Sequence, residues 1–212
     1  MTLLAFHQIA ARRGDGLRPE LLALMRGNPR LVEPSGPYDK RRMNGGGTPM
    51  SYSFKMINTP VGRLKLVASD RRLAAILWPD EDPRRVRLGL LVEDEDHPIL
   101  IETERQLGGY FAGTLTHFTV PLDFQGTAFQ KSVWRALLTI PFGETRSYGE
   151  IARQIGKPNA ARAVGAANGR NPISIIAPCH RLLGSNGDLT GFAGGLAVKE
   201  HLLRMEAGAP IP

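Results

Sequence analysis

Cysteine is almost missing from this chain: Cys179 stands alone among 212 residues. A single cysteine excludes an internal disulfide framework and any zinc site built from paired cysteines. Long apolar runs are missing as well. No stretch of about 18 apolar residues occurs, which excludes a membrane-spanning helix. Met1–Ala10 is mildly apolar, but no basic region precedes it, so no secretory leader is expected. These absences point to a reducing cytoplasm and no membrane partner. No internal repeat occurs. What is present, 42% hydrophobic and 22% charged residues, is the composition of a globular protein with room for one large domain or two small ones.

The net charge of +7 is uneven. Residues 1–49 carry eight Lys/Arg against four Asp/Glu, residues 50–120 nine against ten, and residues 121–212 ten against six. A basic C-terminal half beside a near-neutral middle suggests that this half meets a polyanion, though basic composition also occurs in proteins that bind no nucleic acid.

Residues 1–49 read as a flexible basic extension or an over-extended start, closed by the linker Gly45-Gly46-Gly47. Ser51–Asn58, the turn Thr59–Gly62 and Arg63–Ala68 read as strand, turn, strand, and Ala74–Trp78 as a third strand. Pro98–Ala112 has helical spacing, with Leu100, Thr103, Leu107, Tyr110 and Phe111 on one side. Phe118–Leu122 reads as a connecting strand or extended linker, and a domain boundary is placed between 122 and 123.

Past that boundary the signals sharpen. Phe129, Val133, Trp134 and Leu137 form a helical stripe capped by Thr127, which Pro141-Phe142-Gly143 ends. Ser147 with Glu150 three residues on is a capping box for a second helix. After the turn Gly156-Lys157-Pro158, Asn159 is expected to cap a third helix, Ala160–Asn168, ended by Gly169 and Asn171-Pro172. Two short helices around a tight glycine turn are the helix-turn-helix pattern. The third helix is nearly all Ala and Gly, with Arg162 the one long side chain. Two readings fit. Stripped of bulk, it could approach a minor groove about 6 Å wide and probe the base stack with Arg162. Small residues serve close helix packing equally well.

Asn171–Leu183 carries Cys179 at the end of the apolar run Ile173–Ile176. A lone cysteine is by default a small buried hydrophobe. Here His180 and Arg181 follow directly, and a thiolate is favoured by nearby cations or a histidine base. Pro178 restricts the backbone that aims the sulfur. On an extended chain His180 would point away from Cys179 and act through a water.

Pro178-Cys179-His180-Arg181, with Asn171-Pro172 upstream and Gly191-Phe192-Ala193-Gly194-Gly195-Leu196 downstream, closely resembles the O6-alkylguanine-DNA alkyltransferases. Gly126–Gln130, Val133-Trp134, Ile140-Pro141 and Ser147-Tyr148 match that family in order and spacing, over roughly Tyr110–Glu206, and a looser likeness reaches back to about Met50. The resemblance implies an α/β ribonuclease-H-like domain over 50–122. It implies an α-rich, winged-helix-like (helix-turn-helix) domain over 123–212.

The resemblance also implies direct repair of O6-alkylguanine, and of O4-alkylthymine, in double-stranded DNA after the base is flipped out. Cys179 would attack the alkyl carbon, His180 take the thiol proton through a water, and Glu206 orient the imidazole. Tyr148 would crowd the phosphate and give a proton to the leaving base. Arg162 would fill the gap in the stack, on a helix whose Ala161, Ala163 and Gly165 allow close approach. Asn171, Leu182, Phe192 and Ala193 would line the base pocket. A thioether has no ready leaving route, so each molecule would act once, as a monomer, without metal or cofactor. Phe192 departs from the tyrosine common in the family and loses a hydroxyl. A non-transferring damage sensor, a helix-turn-helix regulator and a cysteine hydrolase are the competing readings. The presence of Cys179 argues against the first, and the Ala/Gly helix offers the second little to read bases with. Repeated turnover of an ester or amide would mark the third.

Overall fold

The structure, a computed structural model, describes residues 51–208 and the backbone of Leu31–Val32. Apart from that pair, the expected extension over 1–49 lies outside the described residues. The first layer is a sheet ordered β1-β5-β2-β3-β4, in which β1 is Leu31–Val32, β2 Ser51–Thr59, β3 Gly62–Ser69, β4 Arg72–Leu77 and β5 Leu90–Glu93. β2 and β3 form the expected hairpin. Its turn needs a positive φ at Gly62 (+106°), and Thr59 Oγ1 donates to the Gly62 carbonyl at 2.6 Å. β4 pairs antiparallel with β3, whereas β5 pairs parallel with β2 and was not anticipated from the sequence. Of the two readings for Phe118–Leu122 the extended linker holds: it runs beside β4 with a single bridge at Leu122, where Leu73 N donates to Pro121 O at 2.8 Å and Asp123 N to Leu73 O at 2.8 Å.

Helix α1, Pro98–Phe111, lays Leu100, Thr103, Leu107 and Tyr110 on the sheet. Gly108 and Gly109 lie inside it without breaking it, because burial of this stripe, about 1.5–3 kcal/mol per large apolar side chain, outweighs about 1 kcal/mol of poorer propensity per glycine. The core continues past the boundary: Leu73, Ile76 and Leu100 belong to one buried cluster with Ile173, Ile175, Ile176 and Leu202. Ile76 N also donates to Pro172 O at 2.9 Å, tying β4 to the segment that leads to Cys179.

Four more helices follow: α2 Ala128–Leu137, α3 Tyr148–Gln154, α4 Ala161–Gly169 and α5 Leu196–Glu206. The expected capping box forms at Ser147 with Glu150, and Thr127, expected only as an N-cap, makes a second box with Gln130. α2 stops at Leu137, before Pro141, as Thr139 N and Ile140 N turn back onto Ala136 and Leu137 carbonyls. Asn159 does not cap α4. Ala160 N closes a turn onto Lys157 O at 2.8 Å, which leaves Ala160 in the cap position with no side-chain bond. Among the described residues no helix is long and apolar enough to cross a membrane.

Candidate active site

Asn171–Leu182 folds into a buried, tightly wired segment. Asn171 Nδ2 donates to Ala177 O at 2.7 Å, and Asn171 Oδ1 accepts from Ile173 N at 3.1 Å, so one side chain closes the loop before the cysteine. Ile175 adopts φ +72°, costly for a β-branched side chain and held by complete burial. Cys179 and His180 are not on an extended chain as anticipated. Pro178 caps a single 3₁₀ turn, Cys179–Arg181, closed by Arg181 N donating to Pro178 O at 3.0 Å. Side chains of successive residues on such a turn still diverge by about a third of a revolution.

Cys179 is 4% exposed and His180 0%. Burial pushes the Cys179 thiol above its ordinary range, opposed by the neighbouring polar groups of Asn171 and Ser174 and by the charges of Arg85 and Lys199. The resting sulfur is therefore a protonated thiol, and the thiolate must be made by a base. Arg181 does not supply the cation expected beside the sulfur. It is spent on Glu206, with Nε at 2.8 Å from Oε2 and Nη2 at 3.0 Å from Oε1.

Glu206 collects the buried polar groups. It accepts from Arg181, from His180 Nε2 at 2.8 Å, from the Tyr110 hydroxyl at 2.6 Å and from Gly143 N at 3.2 Å. Burial alone would raise its pKa, but the bonds from His180 and Arg181 prevail and hold it at about 2. Burial pushes His180 below its ordinary value, against the pull of Glu206. Since Arg181 already balances the carboxylate, the consistent state is ionised Glu206 with a neutral imidazole donating from Nε2. Nδ1 is then a lone pair, and it is buried with no hydrogen bond in the structure.

The other expected residues fall into two groups. Leu182 is fully buried in one cluster with Cys179, Val164 and Ala167, against which Tyr148 and Phe192 pack. Phe192 stands edge-on to Trp78 (centroids 5.4 Å) and to His180 (6.3 Å), whereas Ala193 packs in the cluster of Trp78 and Ile176. Tyr148 lies at the start of α3, its hydroxyl 2.9 Å from Thr190 Oγ1 and its ring beside Gly165. A parallel pairing of Arg146–Ser147 (β6) with Leu182–Leu183 (β7) holds α3 next to the cysteine turn. Arg162 and Ala163 form part of the exposed face of α4, with Ala161 and Gly165 half-buried at its edges; none of these four shares a cluster with Cys179.

Sequence reasoning missed three supporting residues. Lys199, fully buried on α5, donates to Leu182 O and to Thr190 O (2.7 Å), joining the cysteine turn to the Thr190 loop. Arg85 donates to Asn171 O and pairs with Glu81 at 2.5 Å, bracing the Asn171 loop from the first layer. Tyr110, read only as part of a helical stripe, is the Glu206 donor. The partners that tie them to the site, Leu182, Asn171 and Glu206, lie 17, 86 and 96 residues away, too distant for any local signal.

The descriptions of two known families match this chain: 6-O-methylguanine DNA methyltransferase, ribonuclease-like domain, over residues 52–124, and 6-O-methylguanine DNA methyltransferase, DNA binding domain, over residues 128–208. The chain is 66% identical over 155 residues to the methylated-DNA–protein-cysteine methyltransferase of Mycobacterium tuberculosis strain H37Rv, covering 72% of this chain and 91% of that protein. It is 48% identical over 153 residues to the protein of that name from Methanosarcina acetivorans, covering 72% and 97%. Among solved structures, the Mycobacterium tuberculosis OGT in complex with DNA superposes with a TM-score of 0.68 at 48% identity, over 76% of this chain and 95% of that one.

Proposed function

The chain belongs to the 6-O-methylguanine DNA methyltransferase family, and from that premise we propose the part each of its residues takes. The protein repairs O6-methylguanine in DNA by transferring the methyl group to a protein cysteine. Cys179 is the acceptor, because the chain has no other cysteine.

DNA lies along the exposed face of α4, whose small side chains permit close approach while Arg162 enters the stack. Tyr148 crowds the phosphate, and the damaged base swings out into the pocket edged by the Asn171 loop, Leu182 and Phe192–Ala193. His180 Nδ1 takes the thiol proton through a water, leaving an imidazolium that ionised Glu206 stabilises. The thiolate then attacks the methyl carbon. A sulfur–carbon bond forms as the carbon–O6 bond breaks, the electron pair passes into the guanine, and the Tyr148 hydroxyl supplies the proton that keeps the leaving base neutral. The product thioether has no leaving route, so Cys179 reacts once. The same attack geometry extends to O4-alkylthymine. A reducing cytoplasm is the compartment in which this thiol stays available.

The observation that carries this reading is the buried His180–Glu206 pair set directly after the sole cysteine, with Nδ1 free to accept. The test is incubation with duplex DNA containing O6-methylguanine, followed by peptide mass spectrometry. A methylated Cys179 peptide with restored guanine supports it. Bound duplex with unmodified Cys179 would sink it in favour of a damage sensor.

A further inference from the structure

A cleft of about 620 Å³ opens between the Thr116–Phe124 linker and α2, and no residue of α4 lines it. Its volume is that of a small-molecule site. Lys131 and Arg135 on α2, with Leu138 at its C-cap, face it at helical spacing, on the side turned away from buried Val133 and Leu137. Arg72, from the start of β4, reaches the same space. Among the described residues none of Arg72, Lys131 and Arg135 has a hydrogen-bonded or ionic side-chain partner, although acidic residues elsewhere on this chain pair with arginines readily. Three unpaired cations converging on one concavity repel one another, and the arrangement is relieved by an anion.

The remaining walls narrow the ligand. Phe118, Phe124 and Phe142 contribute aromatic surface, and Asp123 adds one carboxylate, already accepting from Gln125 at 2.8 Å. Aromatic faces suit a stacked base, and a carboxylate accepts from an exocyclic amine. We propose that this cleft is a second ligand site that binds a nucleoside monophosphate, its phosphate held by Arg72, Lys131 and Arg135 and its base among the phenylalanines. The phosphomonoester belongs either to a free nucleotide or to the 5′ end of a DNA strand. The site is separate from the α4 surface, and its inner wall includes Pro178 and Arg181, the back of the cysteine turn.

Isothermal titration of the full chain with guanosine monophosphate, guanosine and a short 5′-phosphorylated oligonucleotide tests it. Saturable binding of the monophosphate is expected, weakened about tenfold or more when the phosphate is absent, in guanosine, or when a cation is removed, in Lys131→Ala/Arg135→Ala or in Arg72→Ala. These side chains stand at the cleft rim outside the transfer machinery, so thermal unfolding and methyl transfer should be unchanged in the variants. Preference for the monophosphate or the oligonucleotide identifies the source. No saturation at millimolar monophosphate, or equal binding by wild type and variants, overturns the proposal. So does a loss of duplex affinity in the variants without nucleotide binding by wild type, which would assign the cations to the DNA interface.

Discussion

His180 Nε2 lies 2.8 Å from Glu206 Oε1, and neither side chain meets solvent. The contact sets the imidazole tautomer and leaves Nδ1 as the only nitrogen able to take a proton. Glu206→Gln keeps the shape but removes the charge that would stabilise an imidazolium at His180 in the proposed transfer. Single-turnover methyl transfer should fall by about 10²–10⁴-fold, measured on O6-methylguanine duplex. The same change strands Arg181, so denaturant unfolding at neutral pH should show a loss of about 3–5 kcal/mol.

Acid should erase that stability difference. Glu206 in the folded protein is held at about 2, below the ordinary 4.5. A depressed carboxylate contributes stability that is complete above pH 4.5 and lost as pH falls towards 2. The interval is worth about 3 kcal/mol. Urea unfolding of wild type and Glu206→Gln should therefore diverge at pH 6, approach each other below pH 4.5 and converge as pH falls through about 2. A constant gap across that range would contradict an ionised, buried Glu206.

The rate of repair should report His180 separately. Only the neutral imidazole accepts a proton, and burial places its pKa below the ordinary 6.5. Transfer rates measured by quenched flow should hold as pH falls through 6.5 and decline only in stronger acid. In His180→Asn the rate at pH 7 should drop about 10²–10⁴-fold. Recovery should require pH above the ordinary thiol value of 9.0, because burial raises Cys179 further.

The motif residues were legible because their signals are local. The Ser147–Glu150 capping box needs only a partner three residues away, the Thr127 cap only the start of its own helix, and Cys179 and His180 are neighbours on one turn. The stripe of α1 also announced itself by spacing. Tyr110 was read as core because its hydroxyl bonds Glu206 across 96 residues, and Arg85 reaches Asn171 across 86. Such long-range polar pairs leave no periodicity. Asn159 failed as a cap for a nearer reason: the Lys157–Ala160 turn placed Ala160 at the helix start instead. Parallel pairing of β5 with β2 is likewise a tertiary choice, since a four-residue strand with three apolar residues does not name its partner.

Gly194 is a packing requirement of the Phe192–Ala193 loop. A Cβ there would stand 2.8 Å from Trp78 Cζ3 and 2.9 Å from two further ring atoms. Trp78 is 7% exposed and wedged edge-on against Phe192, so the ring cannot retreat without moving the pocket wall. Gly194→Ala should destabilise by about 1–3 kcal/mol, read from thermal or denaturant unfolding. Transfer should slow even at temperatures where the fold is intact.

Arg162 separates folding from DNA engagement. It is exposed on α4 and forms no ion pair among the described residues, so Arg162→Ala should change unfolding free energy by no more than about 0.5 kcal/mol. If its side chain replaces the flipped base in the stack, the variant loses a contact that only duplex DNA can offer. Transfer from an O6-methylguanine duplex should then slow by about tenfold or more, while transfer from the same base in a single strand, where no stack needs filling, should change little. Equal losses on both substrates would make Arg162 a phosphate contact, and α4 a surface that positions DNA without taking part in extrusion.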